Sequence, residues 1–158
     1  MNKVIEVDFL PREFGSSEVG LAPTAFGIND MRRVLIVDND ADSTHLVKVL
    51  LEKTGRYLVL EEHNGARAHL SARNLRPDLI LLDVVMPEGD GGEIAAQIQA
   101  DPELHGTPII FLTALVTRAE AKTGLHIDGH SFLAKPINIQ ELINAIEGHL
   151  PTRAKVFG

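Results

Sequence analysis

The chain has 158 residues, a formal net charge of −7 and no cysteine. Its length suits one domain with a proper core, and the absence of cysteine excludes disulfides, thiol catalysis and cysteine-based zinc sites. The acidic charge and the lack of a dense Lys/Arg stripe argue against direct nucleic-acid binding.

Residues 1–30 do not resemble the remainder of the sequence. Glu6 and Asp8 stand where a secretory signal would be basic and then apolar. No apolar run in the chain approaches about 18 residues, so we predict no membrane span and a cytoplasmic location. We expect residues 1–30 to form a mobile extension. Met31 is equally a candidate start of translation, which would make the upstream residues a start-site artefact, and both alternatives remain open.

From residue 31 onward, apolar runs typical of buried strands alternate five times with segments of helical period. Strands separated by helices must pair in parallel through right-handed crossovers. The sequence therefore predicts an α/β domain over residues 31–150, followed by a short tail at 151–158. The predicted strands are Val34–Val37, Tyr57–Leu60, Leu79–Leu82, Pro108–Leu112 and about Ser131–Ala134, the last expected to be an edge strand.

The predicted helices carry recognisable start and stop signals. The first begins near Asp40 or Asp42 and stops at Gly55. The last begins at an Asn138/Glu141 capping box and ends before residue 151. The remaining helices follow strands two, three and four. They are expected over 65–74 with Ala66 and Leu70 inward, around Ile94, Ala95 and Ile98, and weakly over 117–123.

The most informative stretch runs from Pro77 to Pro87. Four apolar residues end on Asp83, which becomes the first polar side chain at the carboxyl end of an internal strand. Open α/β sheets place their binding crevices at this edge. Taken alone, an Asp in this position more often begins an ordinary turn.

Polar residues at other strand ends favour a functional site. Because the carboxyl ends of parallel strands share one edge, Asp38 should meet Asp83, and their mutual repulsion calls for a cation. Magnesium prefers oxygen ligands, which Asp38, Asp83 and a carbonyl of the Val84–Val85 turn supply. Thr113 and Lys135 offer a hydroxyl donor and a fixed positive charge, as a phosphoryl group requires.

Four segments at these strand ends resemble the receiver domain of two-component response regulators, in order and in spacing. They are Ile36–Asp40, Leu82–Pro87, Leu112–Ala114 and Phe132–Pro136, within a match that covers residues 32–150. The resemblance implies a doubly wound, five-stranded parallel sheet of order 2-1-3-4-5, a flavodoxin-like fold. It also implies a stand-alone phosphorelay switch, not an enzyme acting on external substrates.

The resemblance assigns a role to each residue of the site. Asp83 would accept a phosphoryl group from a sensor histidine kinase or a histidine phosphotransfer protein. Thr113 and Lys135 would bind the phosphoryl oxygens, and Phe132 would be the aromatic switch. Mg²⁺ would be held by Asp38, Asn39, Asp83 and the Val85 backbone carbonyl. The family also tends to have a cis bond between Lys135 and Pro136.

One departure from the family pattern is Asn39, which stands where a second acid is usual. We predict weaker magnesium affinity, and a phosphorylation-independent pseudo-receiver remains the alternative. A flavodoxin-like binder of small molecules is disfavoured, because Asp38-Asn39-Asp40 would repel phosphate. The sequence shows no output domain after Pro151. The signal therefore leaves through a downstream protein or a homodimer, unless the chain is part of a longer one.

The remaining candidates are expected to have structural roles. His126 and His130 are four residues apart, but Gly129 lies between them, so we predict no zinc site and a solvated His130. The Gly89–Gly92 loop lacks a P-loop ending and is predicted to be a flexible connector, with Asp90 as a local helix cap.

Overall fold

The computed structural model describes residues 31–87, 89–114, 126–127 and 130–150. The predicted N-terminal extension, the helix at 117–123 and the C-terminal tail lie outside the described residues. Every described element from residue 32 onward belongs to one unit that begins at Arg32. These elements are β1 (Arg32–Val37), α1 (Ala41–Glu52), β2 (Tyr57–Glu62), α2 (Ala68–Leu75), β3 (Leu79–Asp83), α3 (Gly91–Ala100), β4 (Ile109–Thr113), β5 (His130–Ala134) and α4 (Ile139–His149).

The five main strands form a parallel sheet in the order 2-1-3-4-5, which confirms the predicted topology. The register pairs Asp83 with Leu112 on β4, and Thr113 with Ala134 on β5. A two-residue strand, His126–Ile127, pairs antiparallel with β5 on its outer side. The prediction that β5 is an edge strand was therefore wrong. His126–Ile127, which covers that edge, is too short to give a periodic pattern in the sequence.

Helices cover both faces of the sheet, and alternate residues of each inner strand enter opposite core layers. In β1, Val34 and Ile36 pack toward α1 and α4, whereas Leu35 and Val37 pack toward α2 and α3. All five residues of β3 are buried. This two-sided burial is why the central strands are apolar throughout and do not alternate with polar residues. None of the four helices in the described residues has the length and apolar character needed to cross a membrane.

The helix after β2 differs from its prediction. A 3₁₀ turn, Gly65–Arg67, precedes α2, and the inward residues of α2 are Ala68 and Ala72. Ala66 and Leu70, which were predicted to face inward, are exposed. Helical spacing alone does not fix which stripe faces the sheet, and here the two small alanines occupy it.

Short polar side chains begin the helices as the sequence predicts. The carboxylate of Asp40 accepts the Ser43 backbone N–H at the start of α1, and the Asn138 side chain accepts the Glu141 N–H at the start of α4. Asp90 accepts the Gly92 N–H, which confirms its role as a cap. The Gly89–Gly92 segment, however, is not simply a connector. Its first two residues pair with Val85–Met86 as a two-residue hairpin, and α3 begins at Gly91.

The junction between α2 and α3 is held by Asp101, a buried carboxylate at the end of α3. Asp101 Oδ1 accepts the Glu103 backbone N–H at 2.9 Å, and Oδ2 accepts from His69 Nε2 at 2.9 Å and Arg73 Nη1 at 2.6 Å. The Glu103 N–H contributes most, followed by His69 and Arg73, and together they lower the pKa of Asp101 to about 2.

This depressed pKa predicts how the stability of the fold depends on pH. Because it lies below the ordinary value of 3.8, the stabilisation is fully present above that value and is lost as pH falls through about 2. We therefore expect Asp101→Asn to lower the urea midpoint of unfolding at neutral pH. The difference in midpoint between the variant and wild type should disappear between about pH 4 and 2. Asp42→Asn, at an exposed position on α1, is the control. A gap that stays constant across this range would contradict the assignment.

Candidate functional site

Two carboxylates and one ammonium group meet at the carboxyl edge of the sheet. Lys135 Nζ lies 2.6 Å from Asp38 Oδ2 and 3.5 Å from Asp83 Oδ2. Both aspartates are buried, with 2% of Asp38 and 7% of Asp83 exposed. The structure thus brings together side chains that follow β1, end β3 and follow β5, although 97 residues separate Asp38 from Lys135.

Asp38 lies in the β1–α1 loop and is held by hydrogen bonds to both its backbone and its side chain. The Asp38 N–H donates to the Glu62 carbonyl at 3.1 Å. Asp38 Oδ1 accepts the Asp40 backbone N–H at 3.0 Å, which leaves Oδ2 to face Lys135. Asp40 itself caps α1 through Ser43, so its own carboxylate is engaged away from the site.

The loop after β3 holds Asp83 by a close approach to α3. The Val84 N–H donates to the Leu112 carbonyl at 3.1 Å, and the Gly91 N–H donates to the Val84 carbonyl at 2.9 Å. A Cβ atom at Gly91 would lie 2.5 Å from the Asp83 carbonyl oxygen and 2.8 Å from Val84 Cα. The position therefore accepts only glycine without a shift of the loop that follows the aspartate.

The electrostatics of the site follow from this crowding. Burial, and then the nearby charge of Asp38, raise the pKa of Asp83 above its ordinary value, against the opposing charge of Lys135. Burial alone would lower the pKa of Lys135. The hydrogen bond from its ammonium to Asp38, together with the charges of Asp38 and Asp83, outweighs burial and raises that pKa. Lys135 therefore stays charged, and it is a single positive charge between two carboxylates.

Thr113 and Phe132 lie on the paired strands β4 and β5, and β5 leads to Lys135. Thr113 ends β4 and is 2% exposed, and its carbonyl accepts the Lys135 N–H at 2.9 Å. Phe132 is buried, with its ring centroid 5.1 Å from that of Phe111. The bond between Lys135 and Pro136 is cis, as the resemblance implies.

The remaining predicted metal ligands lie on the rim of the site. Asn39 is exposed, and Val85 is 61% exposed beside a depression of about 370 Å³ lined by residues 84–87 and Asp90. Within the described residues, no three His, Asp or Glu side chains are grouped as a metal site. A divalent ion would thus depend on Asp38 and Asp83, completed by neutral oxygens and water. Two partly compensated carboxylates are a donor set that suits a small cation such as Mg²⁺.

Sequence reasoning missed a polar cluster at the end of β2, the one strand to which it assigned no polar terminus. The buried Thr44 hydroxyl donates to Glu61 Oε1 at 2.6 Å, and His63 Nε2 lies 2.9 Å from that hydroxyl. His45 Nδ1 is 3.4 Å from Glu61 Oε2. This cluster joins the first turn of α1 to β2, next to the loop that holds Asp38. The Thr44–Glu61–His63 combination comes from separate elements and leaves no contiguous motif.

His130 is another correction. A solvated turn position was expected for this residue, but His130 is the first residue of β5 and only 7% exposed. Its ring meets that of Phe111 edge-on, with centroids 5.2 Å apart. Outward and inward positions alternate along a strand, so His130 shares the inner face with Phe132. The polarity of histidine concealed this from pattern reasoning.

Comparisons with known proteins agree with this geometry. The family model described as the response regulator receiver domain matches residues 34–147. The transcriptional regulatory protein CpxR of Klebsiella pneumoniae is 36% identical over 120 residues, which are 76% of this chain and 50% of CpxR. The chain thus spans about half the length of that regulator. Protein PilH of Pseudomonas aeruginosa is 31% identical over 120 residues, 76% of this chain and 98% of PilH.

Solved structures give the same result. The chemotaxis response regulator CheY4 of Vibrio cholerae is similar with a TM-score of 0.66 and 28% identity, over 76% of this chain and 99% of CheY4. A response regulator structure from Chloroflexus aurantiacus matches with a TM-score of 0.65 and 27% identity, over 75% of this chain and 97% of that one. With the receiver-domain match covering most of the sequence, the chain belongs to the family of response regulator receiver domains.

Proposed function

We propose that Asp83 accepts a phosphoryl group from a phosphohistidine on a sensor histidine kinase or a histidine phosphotransfer protein. The observation that carries the proposal is the shared contact of Lys135 Nζ with Asp38 and Asp83. It places a fixed positive charge beside the carboxylate, where the negative charge of a phosphoryl group would develop. The self-phosphorylation and self-dephosphorylation of Asp83 are then the only reactions required of the chain.

The transfer needs little covalent chemistry from other residues. A carboxylate oxygen of Asp83 attacks phosphorus as the P–N bond of the phosphohistidine breaks, and the electron pair of that bond leaves with the imidazole nitrogen. The product is an acyl phosphate, which carries up to two negative charges in place of the single charge of the carboxylate. The Lys135 ammonium moves from Asp38 to the phosphoryl oxygens, to which the Thr113 hydroxyl donates a hydrogen bond.

Mg²⁺, when bound, neutralises the phosphoryl oxygens during the transfer. The side chains of Asp38 and Asp83 would hold it, together with Asn39 and the Val85 backbone carbonyl. Asp38 would then be shared between the metal and the Lys135 ammonium.

We further propose that phosphorylation changes a protein-interaction face formed by β5 and α4. Thr113 and Phe132 lie on adjacent strands, and the Lys135 backbone N–H donates a hydrogen bond to the Thr113 carbonyl. Drawing Thr113 toward a phosphoryl group would alter the packing around Phe132. The change is a shift between two existing conformers that the new contacts bias. The recipient is a downstream protein or a second copy of this chain.

Beryllofluoride with Mg²⁺ tests the proposal directly, because the complex imitates a phosphoryl group on a carboxylate. We expect saturable shifts of the backbone amide signals of Asp83, Thr113 and Phe132 in two-dimensional NMR, beyond any shifts that Mg²⁺ alone produces. Absence of any shift at saturating concentrations would refute phosphoryl acceptance.

A phosphorylation-independent interaction module is the second candidate, and the exposed Asn39 in place of an acid favours it. Such a module would bind its partner without forming a beryllofluoride complex, so beryllofluoride would add no amide shift at saturation. The titration above therefore separates the two functions.

The role of Asn39 yields a separate prediction. Asn39→Asp adds a third carboxylate to the pocket, so we expect Mg²⁺ affinity to rise by about tenfold at low ionic strength. Calorimetric titration with MgCl₂ measures it. Asn144→Asp, which adds the same charge at an exposed position on α4, controls for net charge. Equal affinities for wild type and Asn39→Asp would remove the proposed metal role of this position.

A further inference from the structure

The outer edge of β2 is closed by side chains of its own domain. Among the described strands, β2 pairs only with β1, so one side of its backbone faces away from the sheet. The N–H of Arg32 donates to the Arg56 carbonyl and that of Asp38 to the Glu62 carbonyl. Even-numbered residues thus direct their backbone groups to β1, and those of Val59, at the middle of the strand, point outward.

Two side chains of α1 bind both outward groups of Val59. The Val59 N–H donates to Glu52 Oε2 at 3.0 Å, and Lys48 Nζ donates to the Val59 carbonyl at 2.7 Å. Lys48 Nζ also lies 3.2 Å from Glu52 Oε2, and the two residues are one helical turn apart. The pair thus imitates the donor and acceptor that a neighbouring strand would present.

The same edge carries exposed apolar side chains. Leu58 and Leu60 are 39% and 41% exposed. In an antiparallel pair of two β2 strands centred on Val59, Leu58 of each copy would lie opposite Leu60 of the other. The exposed surface is therefore self-complementary in its apolar residues as well as in its backbone.

We infer that the Lys48–Glu52 pair closes a strand-addition surface on β2, and that the partner this surface fits is the β2 edge of a second copy of this chain. The pair keeps the receiver from associating through β2, on the side of the sheet opposite β5. This inference goes beyond the proposed function and does not depend on phosphorylation.

The double variant Lys48→Ala/Glu52→Ala opens the edge while leaving good helix-forming residues in α1. We expect it to dimerise reversibly with concentration in analytical ultracentrifugation, while wild type under the same conditions does not. At dilutions where the variant is monomeric, the Val59 amide should exchange with solvent about tenfold faster than in wild type, because it has lost a hydrogen bond to a charged group. At high concentration the same amide should regain protection.

Matched variants make the result specific. Arg56→Ala/Glu147→Ala removes another ion pair, 2.8 Å long, that does not touch the β2 backbone groups, and should leave the association state unchanged. Glu52→Gln keeps an oxygen acceptor for the Val59 N–H and should stay monomeric. If the double variant fails to fold by circular dichroism, Glu52→Ala alone provides the test. A folded open variant that remains monomeric, or a dimer that leaves the Val59 amide unprotected, would overturn the inference.

Discussion

Replacing Asp83 with asparagine is expected to abolish phosphoryl incorporation from acetyl phosphate and Mg²⁺. The amide is a poor nucleophile and carries no charge, and the structure describes no other carboxylate except Asp38 within contact of Lys135 Nζ. Intact-mass spectrometry would show one added phosphoryl group on wild type and none on the variant. Asp42→Asn, exposed on α1, should label as wild type does.

The same substitution should not destabilise the fold. The pKa of Asp83 is raised by burial and by Asp38, so its ionised form destabilises the folded state as pH rises through the folded-state pKa. Removing the charge relieves this penalty, and Lys135 keeps its 2.6 Å contact with Asp38. We therefore expect Asp83→Asn to have an equal or higher urea midpoint at neutral pH. If a folded Asp83→Asn variant still gained a phosphoryl group from acetyl phosphate, the phosphoryl acceptor would have to be another residue.

Gly91→Ala is expected to damage both stability and the site. The added methyl group would lie 2.5 Å from the Asp83 carbonyl oxygen, and these backbone atoms cannot rotate away as a flexible side chain would. Overpacking of this kind destabilises by roughly 2 kcal/mol, a loss that urea denaturation would detect. Since the loop that follows Asp83 must shift, beryllofluoride affinity should fall as well.

Gly148→Ala provides the control for Gly91→Ala. It also lies in a helix, but beyond its chain neighbours and the helix's own backbone a Cβ there has no atom within 4 Å. The substitution should therefore stabilise the protein by about 0.5 kcal/mol through helix propensity. Similar effects of the two variants would show that the close approach of Gly91 to Asp83 does not constrain the loop.

The parallel pairing of the sheet was predictable because its evidence is local, whereas the order 2-1-3-4-5 came from the resemblance to receiver domains. Each central strand is a continuous apolar run, and the intervening helices force parallel pairing. Asp38, Asp83 and Lys135 could be placed together for the same reason, since they follow or end strands of one sheet. The cap at Asp40 and the capping box at Asn138 depend on residues only three positions apart.

The errors arose where the outcome depends on tertiary packing. The period of α2 did not reveal that Ala68 and Ala72, and not Leu70, face the sheet. The burial of His130 depends on the ring of Phe111, which comes from another strand. That Lys135 binds Asp38 more closely than Asp83 is likewise a result of three-dimensional geometry that no motif contains.

Lys135 Nζ lies 2.6 Å from Asp38 Oδ2 and 3.5 Å from Asp83 Oδ2. The proposed transfer would lengthen the first of these separations, because the ammonium would leave Asp38 for the phosphoryl oxygens. Spectroscopic assays of signalling state should therefore place a probe on the lysine ammonium, which would report the proposed event directly.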